Sequence, residues 1–442
     1  MRLKIHDLKG RRQALEKTKT PVRAILIVIG CFLMNVFILG MMGATKSQFI
    51  VYISEDMGWA NSFLTLCMSI SSFLISVVAL VFNYIRKVIK SLRMIVITGI
   101  LIYTVAYVFS AWFPCKFTLV MWAILCGIGH AFLTDIPIAI YVSNWFPPKR
   151  QGSILGIIFT GSGVGGMIFN PIISALVSST GWRMTFIIML IISIVGVMPI
   201  MIFGKERPDT PVAEGEPAPP KEDKKFGLGV ILKLPHIIPL VLISFCFGFS
   251  LGPIYMNTAP MLKSAGIDMG IVSVIMSAVY FILILSKIVV GILNDKVGVK
   301  FTVTMQAATD IIACIIMLII LNVYPSPVLG FAFAFFFGIA FSWQALTPPA
   351  SIRYIYDPVY YSSVITVMVS MTHLGGAVSP FIASLLKEAT GSYNIILIAY
   401  AALVLLCIIG YHIIFHKRDK EVAAAKLAEG AIAANAEANI IE

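Results

Sequence analysis

Apolar runs about as long as a bilayer is thick, recurring along almost the whole chain, limit this sequence more than any other feature. They lie at roughly 23–45, 60–83, 94–112, 117–144, 152–177, 184–203, 236–261, 270–293, 301–321, 327–349, 360–386 and 393–415. A helix needs about 20 apolar residues to cross the hydrocarbon core. Inside that core every backbone polar group has to be satisfied within the segment, which leaves the helix for runs of this length. The residues are 59% hydrophobic and 12% charged over 442 positions, too apolar for a water-soluble chain of this size. The expected fold is an all-α membrane protein with twelve transmembrane helices.

Charge sets the orientation. A net charge of +12 invites a nucleic-acid reading, but its distribution argues otherwise. With the N-terminus inside, only Lys46, Lys116, Arg183, Lys263 and Lys387 fall at outer ends and Lys287 inside a span; the remaining Lys and Arg are cytoplasmic. This is the positive-inside pattern of a multi-pass cell-membrane protein with both termini cytoplasmic, bound to lipid and not to nucleic acid. The seven cysteines are scattered at 31, 67, 115, 126, 246, 314 and 407, with no metal-ligand spacing.

The chain repeats itself. Gly165-Gly166 precedes Gly181, and Gly375-Gly376 precedes Gly391, at a constant offset of 210 residues. Between the copies, 204–235 is the one long polar interval, with Pro208, Pro211, Pro217, Pro219 and Pro220 among charged residues, a flexible linker by composition. The expected organisation is a cytoplasmic N-terminal segment (1–22), a six-helix half (23–203), a cytoplasmic linker (204–235), a second six-helix half (236–415) and a cytoplasmic tail (416–442). Parallel repeats of six helices make the halves pseudo-symmetric.

Ser286 to Lys300 carries the sharpest motif. Gly291-x-x-x-Asp295-Lys296-x-Gly298-x-Lys300 resembles the turn between helices 8 and 9 of major facilitator superfamily transporters, where the glycines permit a tight turn, the carboxylate can cap a neighbouring helix and the basic residues face the cytoplasm. Subtracting 210 lands on Val81, Ile85, Arg86 and Lys90, so the first-half copy keeps only its basic positions. A second block, Gly127-x-Gly129-His130, Thr134-Asp135-x-Pro137, Asn144 to Arg150 and Gly161 to Gly166, resembles helices 4 and 5 of the monocarboxylate transporter and oxalate/formate antiporter families. Gly40-x-x-x-Ala44-Thr45-Lys46-Ser47 is similar to the outer end of helix 1 in monocarboxylate transporters, without their proline. In these families an arginine four residues before the helix 8–9 turn binds the carboxylate; here that position is Lys287, which keeps the charge and loses the bidentate fork.

Ionisable groups inside spans mark functional sites by default, because they are costly there. Lys287, Lys46, Tyr280, Asn257 and His373 are the expected substrate contacts, Asp135 and His373 the expected proton-coupling groups, and Gly291, Asp295, Lys296, Gly298 and Lys300 the gating turn. Asp310, on the ninth span, reads as a packing or gating residue. An ion pair of Lys287 with Asp135 or Asp310 is the competing structural reading. The expected function is secondary transport of a small organic anion, a monocarboxylate, by alternating access, coupled to protons or to anion exchange. An exporter of drugs or cationic metabolites on the same fold is the alternative. No zinc-protease His pair, phosphate loop or nucleophile elbow is present, so the chain reads as a monomeric transporter without enzyme activity, metal or cofactor.

Overall fold

The computed structural model describes residues 22–146, 148–204 and 228–441. The expected N-terminal segment up to residue 21 and linker residues 205–227 lie outside the described residues. Long helices fill the rest: α1 Val22–Met57, α2 Asn61–Val88, α3 Leu92–Trp112 and α4 Lys116–Trp145. Pro148–Phe203 is one helical run interrupted at Gly181, whose φ of 77° and ψ of 161° favour glycine, so α5 and α6 lie on either side of it. Then come α7 Ile237–Ser264, α8 Met269–Lys296, α9 Val299–Asn322, α10 Pro327–Ile355, α11 Tyr361–Thr390 and α12 Asn394–Ile441. With the kink counted, these are the twelve membrane helices expected, and among the described residues there is no strand.

The repeat is visible as packing. Burial from water gives helices little reason to associate inside a bilayer, so close backbone approach has to do it. A Cβ on Gly165 of α5 would lie 2.2 Å from the Val36 carbonyl oxygen of α1, and one on Gly375 of α11 would lie 2.3 Å from the Phe245 carbonyl oxygen of α7. The two glycines that the sequence pairs at offset 210 thus seat equivalent crossings, α1 with α5 and α7 with α11. Two helices break at matching places. α4 breaks at Thr134 (φ −125°, ψ −128°), three residues before Pro137. Proline cannot donate to the carbonyl one turn back and its ring crowds it. α10 breaks at Ser342 into Pro327–Phe341 and Trp343–Ile355, the second piece carrying Pro348 and Pro349. α1 is wound as a π-helix over Asn35–Gly43.

Two compact units emerge. One holds described residues 22–45 and 77–204; the other holds 46–76 and 228–441. The ends of α1 and α2 therefore pack with α7–α12. In this second unit Ser47 Oγ accepts from the Ala259 N–H at 3.1 Å, Lys263 pairs with Glu55 at 3.2 Å, and Glu388 at the end of α11 accepts from the Ser62 N–H (2.8 Å) and hydroxyl (2.6 Å). A carboxylate on a helix's first turn is worth roughly 1 kcal/mol. The half-exposed Glu55–Lys263 pair is worth about 0–1 kcal/mol, so the Glu388 clasp dominates.

The opposite, basic end of this unit is tied by α12. Its helix continues through residues expected to be a separate tail. There His412 meets Thr304 at 2.8 Å, Glu421 meets His236 at 2.9 Å, and Asp419 accepts from both Lys300 and Tyr354. Tyr356 donates to the Pro235 carbonyl at 2.7 Å, and burial pushes its phenol up.

Candidate functional site

Lys287 stands on α8, half-buried. The exposed residues Val274, Phe281, Leu285, Ile288 and Ile292 recur at helical spacing and define one apolar face. Val279, Leu283, Ser286 and Val290 define the buried face. Lys287 follows Ser286 by 100° around the helix, so it sits on the protein side and away from the apolar stripe. Tyr280, two turns earlier on the same side, is buried and donates to the Tyr255 hydroxyl of α7 at 3.2 Å. Tyr255 stacks on Phe341, the last residue before the α10 break (5.1 Å, 24°), and Tyr280 meets that ring edge-on (6.5 Å, 77°). The result is a wall of two phenols and a phenyl ring joining α7, α8 and α10, about 10 Å along α8 from the lysine.

The remaining expected contacts are spread out. Lys46, expected at the outer end of its span, is instead buried within α1 about 16 Å short of Met57, its Nζ 3.5 Å from the Ser71 hydroxyl. Lys287 lies about 27 Å along α8 from the far end of that helix, so the two cations mark different depths. His373 is exposed on α11, next to Thr372, whose carbonyl closes on Gly248 of α7. Asn257 departs from expectation. It has no exposed surface; its Nδ2 donates to the Pro380 carbonyl at 3.5 Å and its Oδ1 accepts from Ser384 at 2.9 Å. Its amide is used in fastening α7 to α11. In the first unit, Asp135 is the exposed first residue of the second piece of α4. One turn before it, buried His130 shares a 2.9 Å hydrogen bond with Tyr103 through Nδ1.

The turn expected to act in gating closes α8 on α9. Gly298 takes φ 99° as the first residue before α9, with no side chain capping that helix, so Asp295 does not serve as its cap. Asp295 and Lys296 are exposed. Gly291 has open space where a Cβ would go, so it is not there for close packing. Lys300 is held by Asp419 and lies 5.6 Å from the Tyr354 ring centre.

Sequence reasoning missed two features. The first is a buried polar joint at the α10 break, where Gln306 of α9 donates to Ser342 at 2.8 Å and accepts from Thr347 at 2.6 Å. The spacing of Gln306 and Asp310, one turn apart on α9, was the available signal. Asp310, read from the sequence as a packing or gating residue, is fully buried, with neither carboxylate oxygen in a hydrogen bond among the described residues. The ion pair with Lys287 considered above therefore does not form. The second missed feature is Asn35, buried in the π segment of α1, whose amide atoms also lack partners among the described residues.

Comparison with known proteins now bears on this arrangement. The Major Facilitator Superfamily profile matches residues 31–343 and 241–439. An uncharacterized MFS-type transporter, YcxA of Bacillus subtilis, is 25% identical over 62% of this chain and 67% of its own length. Monocarboxylate transporter 12 of Rattus norvegicus is 25% identical over 66% of this chain and 63% of its own. Among solved structures, the nucleoside transporter NupG superposes with a TM-score of 0.72 at 13% identity, covering 89% of this chain and 99% of that one.

Proposed function

The chain belongs to the Major Facilitator Superfamily, and from that premise we propose that this secondary transporter carries a small organic anion, a monocarboxylate, across the cell membrane by alternating access. The observation that carries the reading is Lys287, a cation set into the protein side of a membrane helix. A carboxylate entering the membrane has to have its lost hydration and its charge compensated. An ammonium on α8 does both, and the Tyr255–Tyr280 pair supplies phenol donors on the same side of that helix. Similarity to a protein named for monocarboxylates supports the substrate class; likeness to a nucleoside transporter at 13% identity speaks for the fold alone.

In this reading Lys46 and His373 offer further donors to the anion, and Asp135 and His373, both capable of titrating, couple its movement to protons. Asn257 sets the α7–α11 spacing. The turn from Gly291 to Lys300 governs the rate of conformational exchange. The basic ends face the cytoplasm with both termini, the clasped far end faces out, and the protein works as a monomer. The test is counterflow in proteoliposomes against labelled mono- and dicarboxylates and amines, in wild type and Lys287→Gln. Wild type exchanges monocarboxylates and the variant does not. Amine exchange that survives loss of the lysine identifies the cation exporter instead.

A further inference from the structure

Among the described residues, Asp310 is the one carboxyl in the second unit's interior that this function leaves unused. It sits in the middle of α9, which packs against both pieces of α10 and against α12, and more lightly against α7 and α8. It has no exposed surface, and neither oxygen finds a donor among the described residues. The groups that face it are thiols: Cys314, one turn along α9, and Cys407 of α12. Among the described residues no charged side chain of α7, α8, α10 or α12 adjoins it. The first piece of α10 contains no ionisable residue, and the second has its one charge, Arg353, in its last turn. The phenols of Tyr400 and Tyr411 on α12 are buried in the same bundle with no hydrogen bond among the described residues.

An ionised carboxylate in such a place is shut off from bulk solvent and has neither a donor nor a counter-charge among the described residues. In low dielectric it keeps its proton instead. The position matters because of what stands beside it. One turn away, Gln306 bonds both sides of the α10 break through Ser342 and Thr347. The break begins at Phe341, which stacks on Tyr255, and Tyr255 bonds Tyr280 on the Lys287 side of α8. A charge appearing at Asp310 has no partner in this arrangement, so it would favour any state in which the α10 joint opens to donors or water.

We propose that Asp310 is a proton-binding site of the transport cycle, protonated in the closed joint seen here and releasing its proton to water when the α9–α10 joint opens. In that step the O–H bond breaks, its electron pair stays on the carboxylate, and water takes the proton. The coupling role rests on the proposed anion transport; the protonation itself does not.

Two measurements separate these. Infrared difference spectra of the purified protein across a pH step should contain the carbonyl band of a buried un-ionised carboxyl that is missing from Asp310→Asn. Identical spectra overturn the proposal whatever the substrate is. In proteoliposomes, Asp310→Asn should lose uphill, proton-gradient-driven accumulation of labelled lactate or pyruvate while keeping exchange of label against unlabelled anion. Proton-driven accumulation equal to wild type overturns it. Should Asp310→Asn fail to fold, Asp310→Glu keeps an acid at the position and should move the same infrared band; an unmoved band overturns the assignment. A wild type that exchanges no carboxylate sinks the anion reading and leaves the infrared result standing.

Discussion

A lysine and an asparagine on neighbouring helices show how differently polar residues are used in this protein. Lys287 occupies the position where related carriers have an arginine, and its value lies in its charge. Lys287→Gln keeps much of the side-chain length and deletes that charge. Loss of one partner from a desolvated pair costs about 2–5 kcal/mol, so carboxylate affinity of the purified protein should fall roughly 30- to 5,000-fold. Lys287→Arg should retain partial binding. Carboxylate affinity unchanged in a well-folded Lys287→Gln protein excludes the lysine from the site. Asn257 should behave oppositely. Asn257→Ala strands the Ser384 hydroxyl and the Pro380 carbonyl, at about 1–3 kcal/mol for groups left unpaired in the interior. The expected result is a lower melting temperature with unaltered carboxylate affinity. A selective loss of affinity would return Asn257 to the substrate site. Both residues were visible in the sequence as polar positions in apolar runs. Which one faces a partner helix depends on contacts 123 and 127 residues away, and no local pattern carries that.

At the level of helices, the sequence was most legible where a steric requirement left a mark. The 210-residue offset of the glycines corresponds to the α1–α5 and α7–α11 crossings because only a residue without Cβ fits there. Gly165→Ala and Gly375→Ala each drive a methyl group into a backbone carbonyl. Backbone cannot rotate away as a side chain can, so overpacking of about 1–3 kcal/mol is expected from each. Gly156→Ala, on the same helix as Gly165 but with open space around the added carbon, is the control and should leave the melting temperature unchanged or raised. Thermal denaturation of the three variants by size-exclusion chromatography is the measurement; equal behaviour of Gly156→Ala and Gly165→Ala would remove the crossing argument. The extension of α12 was not legible. Nothing in Lys417-Arg418-Asp419-Lys420-Glu421 points to the partners that fix Asp419, Lys300 and Tyr354, which lie 119 and 65 residues away. The motif ending in Lys300 was recognised, but not its anchor.

For the molecule as a whole, the expected halves and the observed compact units differ in one instructive way. The chain passes into the second unit at Lys46 and leaves it at Ser76, so the end of α1 and the start of α2 belong to that unit and not to the expected first half, and a clasp inside the unit holds them there. Composition and repeat length locate the halves but cannot report which end is fastened, because fastening belongs to one state of a cycle. Three contacts make the clasp: Ser47 with Ala259, Glu55 with Lys263, and Glu388 with the first turn of α2. The last is the strongest by the argument from helix capping, so its removal should shift the balance of states most. Glu388→Ala removes about 1 kcal/mol from the clasped state, roughly a fivefold change in its population relative to the open one. Thr258, buried near the clasped end of α7, is a reporter of that opening. In a protein whose exposed Cys115 is replaced by serine, Thr258→Cys should react with an impermeant maleimide about five times faster when Glu388→Ala is added. Lys263→Ala, which breaks only the half-exposed pair, should change the rate far less. Equal rates in all three backgrounds would mean that the clasp does not open, and that the ends of α1 and α2 stay fixed to α7 and α11.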